Sequence, residues 1–214
     1  MDEALRKAAE AAPGFMPPEE GLALYRAAGA GAERGPLLEI GTYCGKSTIY
    51  LAAAARERGT IVFTVDHHRG SEEHQPGWEY HDPTLVDPHT GRIDTLPVMR
   101  RVLHGAGVED DVVPVVGRSS AVAAWWTTPV GLVFIDGGHT EEAAAADYRG
   151  WVGHLVAGGV LVIHDVFPDP ADGGRPPYDV YLRALASGSF TDAEAVGSLR
   201  VLRRSAGAAG EGVG

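Results

Sequence analysis

Residues 37–47 read LLEIGTYCGKS. Leu37, Leu38, Glu39 and Ile40 form a short apolar run interrupted by one acid, the pattern of a buried strand. Gly41 gives a tight turn, and Gly45, Lys46 and Ser47 open a helix whose apolar positions continue through Leu51 and Ala55. A strand that passes through a glycine turn into a helix leaves backbone N–H groups facing the space beyond its carboxyl end. In a parallel sheet that space is where cofactors bind.

The flanking sequence repeats the alternation. Upstream, 1–36 supplies two helices, one over 2–12 and one from about Pro18 to Ala28 with Glu19 and Glu20 in its first turn. Downstream, the helix from Lys46 ends at Gly59, and TIVFTV at 60–65 predicts a second strand ending on Asp66. Helices are expected over 94–105, from Ser119 to Trp125-Trp126, over 139–154 and over 178–186. Strands are expected at 112–116, 132–135 and 160–163, with Gly158-Gly159 as a turn, and two weaker ones near 192–196 and 199–203. The fold class is therefore α/β: a Rossmann-like, doubly wound, mostly parallel seven-stranded sheet with helices on both faces, closed by an antiparallel hairpin. One domain over 1–205 is expected, followed by a disordered tail over 206–214.

One insertion breaks the rhythm. Residues 67–93, HHRGSEEHQPGWEYHDPTLVDPHTGRI, hold five of the nine histidines, and Pro76, Pro83 and Pro88 bar a long helix or central strand. A connection of this length with Trp78 and Tyr80 in it reads as a lid over a site, Trp78 being placed to stack on an organic acceptor.

Composition narrows the function classes. At 214 residues the chain can bury roughly 70% of its unfolded surface, and a formal charge of −11 argues against nucleic-acid or anionic-membrane partners. Cys44 is the single cysteine, so no internal disulfide forms. No basic-then-apolar leader and no apolar run of spanning length occur, making a cytoplasmic location the expectation.

The chemistry concentrates at strand ends. Asp66, Asp136 and Asp165 each close an apolar run, and Glu39 lies one residue inside the first. These ends converge on one crevice. Asp66, 25 residues after Gly41, suits the two hydroxyls of a ribose. The glycine turn lacks the G-x-G-x-x-G triplet of a dinucleotide site, and Gly41 stands one residue too near Gly45 for a phosphate-binding G-x-x-x-x-G-K-S loop. A sulfonium cofactor, positively charged and free of phosphate, suits an acidic strand end better.

LLEIGTYCGKST, followed by TVDHH, GRSS, FIDGGH and GGVLVIHD, resembles the class I S-adenosylmethionine-dependent methyltransferases, in particular small bacterial O-methyltransferases related to the macrolide-sugar and catechol branches. The resemblance covers 37 to about 166. It implies that Glu39, Gly41, Tyr43 and Ser47 surround the methionine end of S-adenosylmethionine, Asp66 the ribose, and Arg118 and Ser119 the adenine, with Gly45, His67 and Asp136 also counted as cofactor-binding. It also implies a divalent metal, magnesium or manganese, on Asp136 and Asp165. Val166 stands where relatives carry the third ligand, an Asn or Asp. His139 or His164 can complete a metal set of Asp136, Asp165 and one histidine, with His139 taken as the ligand; imidazole shifts the preference from magnesium toward manganese, iron or zinc. Asp136, His139 and His164 are the candidate catalytic groups, His139 serving as base if no metal is used.

The implied function is methyl transfer to a hydroxyl of a small molecule by an enzyme that works as a homodimer or higher homo-oligomer. The alternatives are a metal-independent N- or carboxyl-methyltransferase and a non-catalytic cofactor-binding interaction protein.

Overall fold

The computed structural model describes residues 1–169 and 171–205; the tail expected to be disordered, 206–214, lies outside the described residues. Seven strands form one sheet in the order β3-β2-β1-β4-β5-β7-β6: β1 (Leu37–Ile40), β2 (Val62–Asp66), β3 (Val112–Val116), β4 (Val130–Ile135), β5 (Leu155–Ile163), β6 (Phe190–Val196) and β7 (Leu199–Arg204). The first five are parallel, and β7 runs antiparallel to both β5 and β6. The chain winds outward from β1 to β3 and then returns to β4 beside β1. That reversal splays the connecting loops apart and opens a crevice at the carboxyl ends of β1 and β4.

Strand parity divides the core. Leu37, Leu132, Phe134 and Val160 face one side, packing against α1 (Glu3–Ala11), α2 (Pro18–Ala32), α3 (Lys46–Arg58) and α4 (Leu96–Ala106). Leu38, Val133, Ile135 and Leu161 face the other, under α6 (Glu141–Trp151) and α7 (Pro176–Ala186). A short α5 (Ser119–Ala123) stops before the tryptophans. Trp126 then packs edge-on against Phe63 and Trp151, at ring separations of 5.0 and 5.5 Å, while Trp125 is 88% exposed.

Two elements differ from expectation. The expected helix over 139–154 starts only at Glu141, because Thr140 caps it by accepting from the Ala143 N–H, and it tightens into a 3₁₀ turn at Val152–His154. The expected turn at Gly158-Gly159 is instead inside β5, whose pairing to β4 shifts register between Val130 and Leu132. The irregularity uses the two glycines and keeps the strand continuous.

The 67–93 segment contains short 3₁₀ turns at Glu72–His74 and Pro83–Leu85 and one bridge between Val86 and Ile93. Leu85 and Ile93 pack on Cys44, and Gln75 Nε2 donates to the Arg69 and Ser71 carbonyls, so the segment has its own anchors. No described helix is long and apolar enough to cross a membrane.

Candidate active site

The loops after β1, β2, β3, β4 and β5, together with 67–93, enclose a cavity of about 1040 Å³. Gly41, Tyr43, Ser47, Asp66, His67, Arg118, Ser119, Asp136, His139, His164 and Asp165 all line it. Gly41 has φ +91, and a Cβ there would overlap the Asp136 carbonyl oxygen; only glycine lets the ends of β1 and β4 come this close.

Two residues expected at the wall stand behind it. Glu39 has 0% exposure, and its parity on β1 points it toward the first turn of α3. Ser47, Thr48 and Thr64 each donate a hydroxyl to its carboxylate at 2.6 Å. Burial, only partly opposed by those three donors, raises its pKa to about 7. Glu39 therefore braces the loop and orients Ser47 from below. Gly45, at φ +90, starts α3 and faces α4, where a Cβ would come 3.3 Å from Met99, so it too is away from the cavity.

Asp66 reaches the cavity but is already engaged. Its Oδ2 accepts the Thr42 and Tyr43 N–H groups at 3.0 and 2.9 Å, and Oδ1 accepts the His68 N–H at 2.7 Å. It ties the glycine loop to the end of β2 and keeps one of its roughly four acceptor sites open toward the cavity. Lys46, the residue that suggested a phosphate loop, lines the cavity but commits its charge elsewhere: its Nζ donates to the Glu10 and Ala12 carbonyls at 3.0 Å each, closing the end of α1.

At the β3 end, Ser119 Oγ donates to Asp147 Oδ1 at 2.5 Å and accepts from Trp151 Nε1 at 2.7 Å. Asp147 also lines the cavity, and burial raises its pKa to about 6 against the pull of Ser119. Sequence reading passed over it because it lies mid-helix in EEAAAADYRGW, like any solvated acid.

The ends of β4 and β5 carry the densest chemistry. Asp136, His139 and Asp165 offer three donor atoms lying within 4.8 Å of one another. Two carboxylate oxygens and one imidazole nitrogen make a donor set that fits a divalent cation, with manganese suited as well as magnesium. Val166 is wholly buried in the core and gives its N–H to the Ser198 carbonyl, so His139 occupies the place of a third donor. His139 Nε2 is 3.0 Å from Asp165 Oδ2 and its Nδ1 3.2 Å from Glu73 Oε2. Burial opposes the imidazolium, but Asp165, then Glu73 and Asp136, raise the His139 pKa to about 9. Asp165 is lowered, its two histidine partners outweighing burial. It also sits at φ +55, a left-handed conformation that costs an aspartate on the order of 1 kcal/mol.

His164 behaves differently. It is 5% exposed, with Nδ1 3.0 Å from Asp136 Oδ1 and Nε2 2.6 Å from Glu20 Oε2. Burial disfavours its charge, yet Asp136 foremost and then Asp165 and Glu20 raise its pKa well above the usual value. An imidazolium clamped on both nitrogens positions Asp136 and has no free atom for a ligand or a transferred proton. Glu20 was legible only as a first-turn acid.

A family described as a methyltransferase domain matches residues 38–166. Solved structures share the whole architecture. The O-methyltransferase TomG from Streptomyces achromogenes, involved in tomaymycin synthesis and solved with S-adenosylmethionine, is 21% identical at TM-score 0.64, over 96% of this chain and 91% of that one. The Bacillus cereus O-methyltransferase, solved with S-adenosylhomocysteine, is 18% identical at TM-score 0.62, over 95% and 92%. The S-adenosylhomocysteine-bound methyltransferase PaMTH1 from Podospora anserina is 15% identical at TM-score 0.66, over 96% and 89%. With a family match over more than half its length and a seven-stranded sheet ending in an antiparallel hairpin, the chain belongs to the methyltransferase-domain family and has the fold of the class I S-adenosylmethionine-dependent enzymes.

Proposed function

We propose that the protein transfers the methyl group of S-adenosylmethionine to a hydroxyl of a small molecule, with a divalent cation held by Asp136, His139 and Asp165. The observation that carries this is the three-donor cluster at the ends of β4 and β5, in the same cavity as the glycine loop. About 1040 Å³ exceeds the ~300–1,000 Å³ of a pocket for one small ligand, which suits cofactor and acceptor together. In this reading Gly41, Tyr43 and Ser47 hold the methionine end, Asp66 and His67 the ribose, and Arg118, Ser119 and Asp147 the adenine.

The reaction is an in-line displacement: an acceptor oxygen–carbon bond forms as the carbon–sulfur bond breaks, S-adenosylhomocysteine leaves with the electron pair of that bond, and the hydroxyl proton passes to solvent water. A bound cation supplies Lewis acidity that makes the hydroxyl easier to deprotonate. The residues supply position. His164 fixes Asp136, Asp165 is fixed by its two histidines, and exposed Phe15, Trp78 and Tyr80 at the rim give an organic acceptor flat faces to lie on. Trp125, exposed and outside the cavity lining, offers an apolar contact for a second copy, and a cytoplasmic homodimer is the working form in this reading.

A second reading has its own observation. His139 Nε2 pairs with Asp165 at 3.0 Å, and deprotonation of the ring with release of Nδ1 from Glu73 would free that nitrogen to act as a base oriented by Asp165, without metal. Calorimetry with S-adenosylmethionine and with Mn²⁺, on wild type and Asp136→Ala, separates the two. The expected result is cofactor affinity within tenfold of wild type, Mn²⁺ binding abolished and turnover reduced at least ~100-fold, since removing a group that stabilises developing charge costs this much. Turnover that survives chelation in wild type selects the His139 base. Failure of wild type to bind S-adenosylmethionine refutes methyl transfer.

A further inference from the structure

His139 has two ring nitrogens and both are committed. Nε2 faces Asp165 within the three-donor cluster, and Nδ1 faces Glu73, which lies 66 residues earlier in the 67–93 segment. For an imidazole to ligate through Nε2 it must keep its proton on Nδ1, and a carboxylate accepting that proton's hydrogen bond selects the tautomer and fixes the ring plane. Glu73 is placed for this, although nothing in its local sequence, SEEHQ, distinguishes it from a solvated acid.

The turn that carries Glu73 is itself braced. Ser71 caps it through His74: the His74 N–H is given to the Ser71 carbonyl, and Ser71 N–H and Oγ meet His74 Nδ1 at 3.2 and 2.8 Å. The His74 ring stacks on Tyr43 at 4.9 Å and 26°, and Tyr43 belongs to the glycine loop. The short turn thus touches the cofactor loop on one side and the cation cluster on the other. The side chains of His139 and Glu73 are 28% and 31% exposed, so as an ion pair alone the contact is worth little in water. Its effect lies in orientation.

We propose that Glu73 is a positioning residue that holds His139 ready to ligate through Nε2, and that cation binding and docking of the 67–93 segment therefore stabilise each other. This rests on the metal reading of Asp136, His139 and Asp165. Linkage makes the coupling reciprocal: whatever factor Glu73 adds to cation affinity, the cation adds to docking of the segment.

The experiment titrates Mn²⁺ alone, read by the free-ion electron paramagnetic resonance signal, into wild type, Glu73→Ala and Glu73→Gln. Hydrogen exchange of 67–93 is followed with and without saturating Mn²⁺. Glu73→Ala is expected to bind Mn²⁺ 10- to 100-fold more weakly, the usual loss when such a partner is removed, with S-adenosylmethionine affinity retained as proof of folding. Glu73→Gln keeps a carbonyl acceptor for the Nδ1 proton and is expected to recover most of that loss. Mn²⁺ should slow exchange in the segment in wild type and leave it unchanged in Glu73→Ala. Wild-type Mn²⁺ affinity in Glu73→Ala, Glu73→Gln as weak as Glu73→Ala, or equal protection in both proteins overturns the positioning role while leaving the metal site standing. No Mn²⁺ binding by wild type overturns the metal reading and this inference with it.

Discussion

Glu39 shows how much one side chain can be read before a structure exists. An acid inside LLEI announces a task, and strand parity already puts it on the same face as Leu37. That this face is covered by the first turn of α3, with three hydroxyls closing on the carboxylate, depends on how α3 docks. A pH prediction follows. The folded pKa of about 7 lies above the ordinary value of 4.5, so the folded chain holds a proton that the unfolded chain releases. The stabilisation is present in full below about pH 4.5 and lost as pH rises through about 7, amounting to roughly 3 kcal/mol. Urea unfolding of wild type and Glu39→Gln between pH 5 and 8 checks it: the wild-type stability should fall relative to the variant across that window. A constant difference would mean that Glu39 does not titrate there.

Among elements, α2 approaches β4 closely enough to exclude a side chain between them. A methyl on Gly131 would overlap the Gly31 carbonyl oxygen and come 2.9 Å from the Gly35 nitrogen, and both are backbone that cannot rotate aside. Gly131→Ala is expected to cost about 3 kcal/mol in urea unfolding, the upper end of the usual range for overpacking, because neither neighbour can move aside. A loss under ~1 kcal/mol would show that α2 can slide on the sheet. The helix expected to end near Ala28 runs on through the first half of GAGAERGP (29–36), to Ala32. Composition marks such residues as small, and only packing shows what their smallness admits. The 67–93 segment is the converse case. Its prolines and aromatics marked it as a binding loop, but periodicity is absent there, so no pattern could forecast that Leu85 and Ile93 would anchor on Cys44 or Glu73 on His139.

At the level of the whole molecule, Glu20 joins three distant parts. From α2 it accepts the Ser198 N–H in the β6–β7 turn at 2.6 Å and meets His164 at the end of β5, 144 residues away. Burial opposes its charge, but the His164 and Ser198 hydrogen bonds hold its pKa below the ordinary value. Removing one member of a buried pair strands the other, so Glu20→Ala should lose about 3–5 kcal/mol by urea unfolding. Glu20→Gln keeps one acceptor oxygen of the two and sets an NH2 group against the other donor, so it should lose less than Glu20→Ala without matching wild type. Equal losses would assign the effect to charge alone.

The sequence by itself determined the α/β alternation, the glycine turn after β1, the acids closing β2, β4 and β5, and hence the crevice and the class of chemistry within it. All of these depend on near neighbours: a strand's apolar run, a turn's glycine, the residue that follows a strand. Tertiary structure alone decided which of those acids faces the cavity. It put Glu39 behind the wall, clamped His164 between Asp136 and Glu20, brought Asp147 to Ser119, and set Glu73 on His139. Each of these pairings spans between 25 and 144 residues, apart from the local bracing of Glu39 by Ser47 and Thr48. The physical reason is that side-chain hydrogen bonds act over about 3 Å, and chain separation says nothing of which groups the packed helices and docked loops bring within that reach.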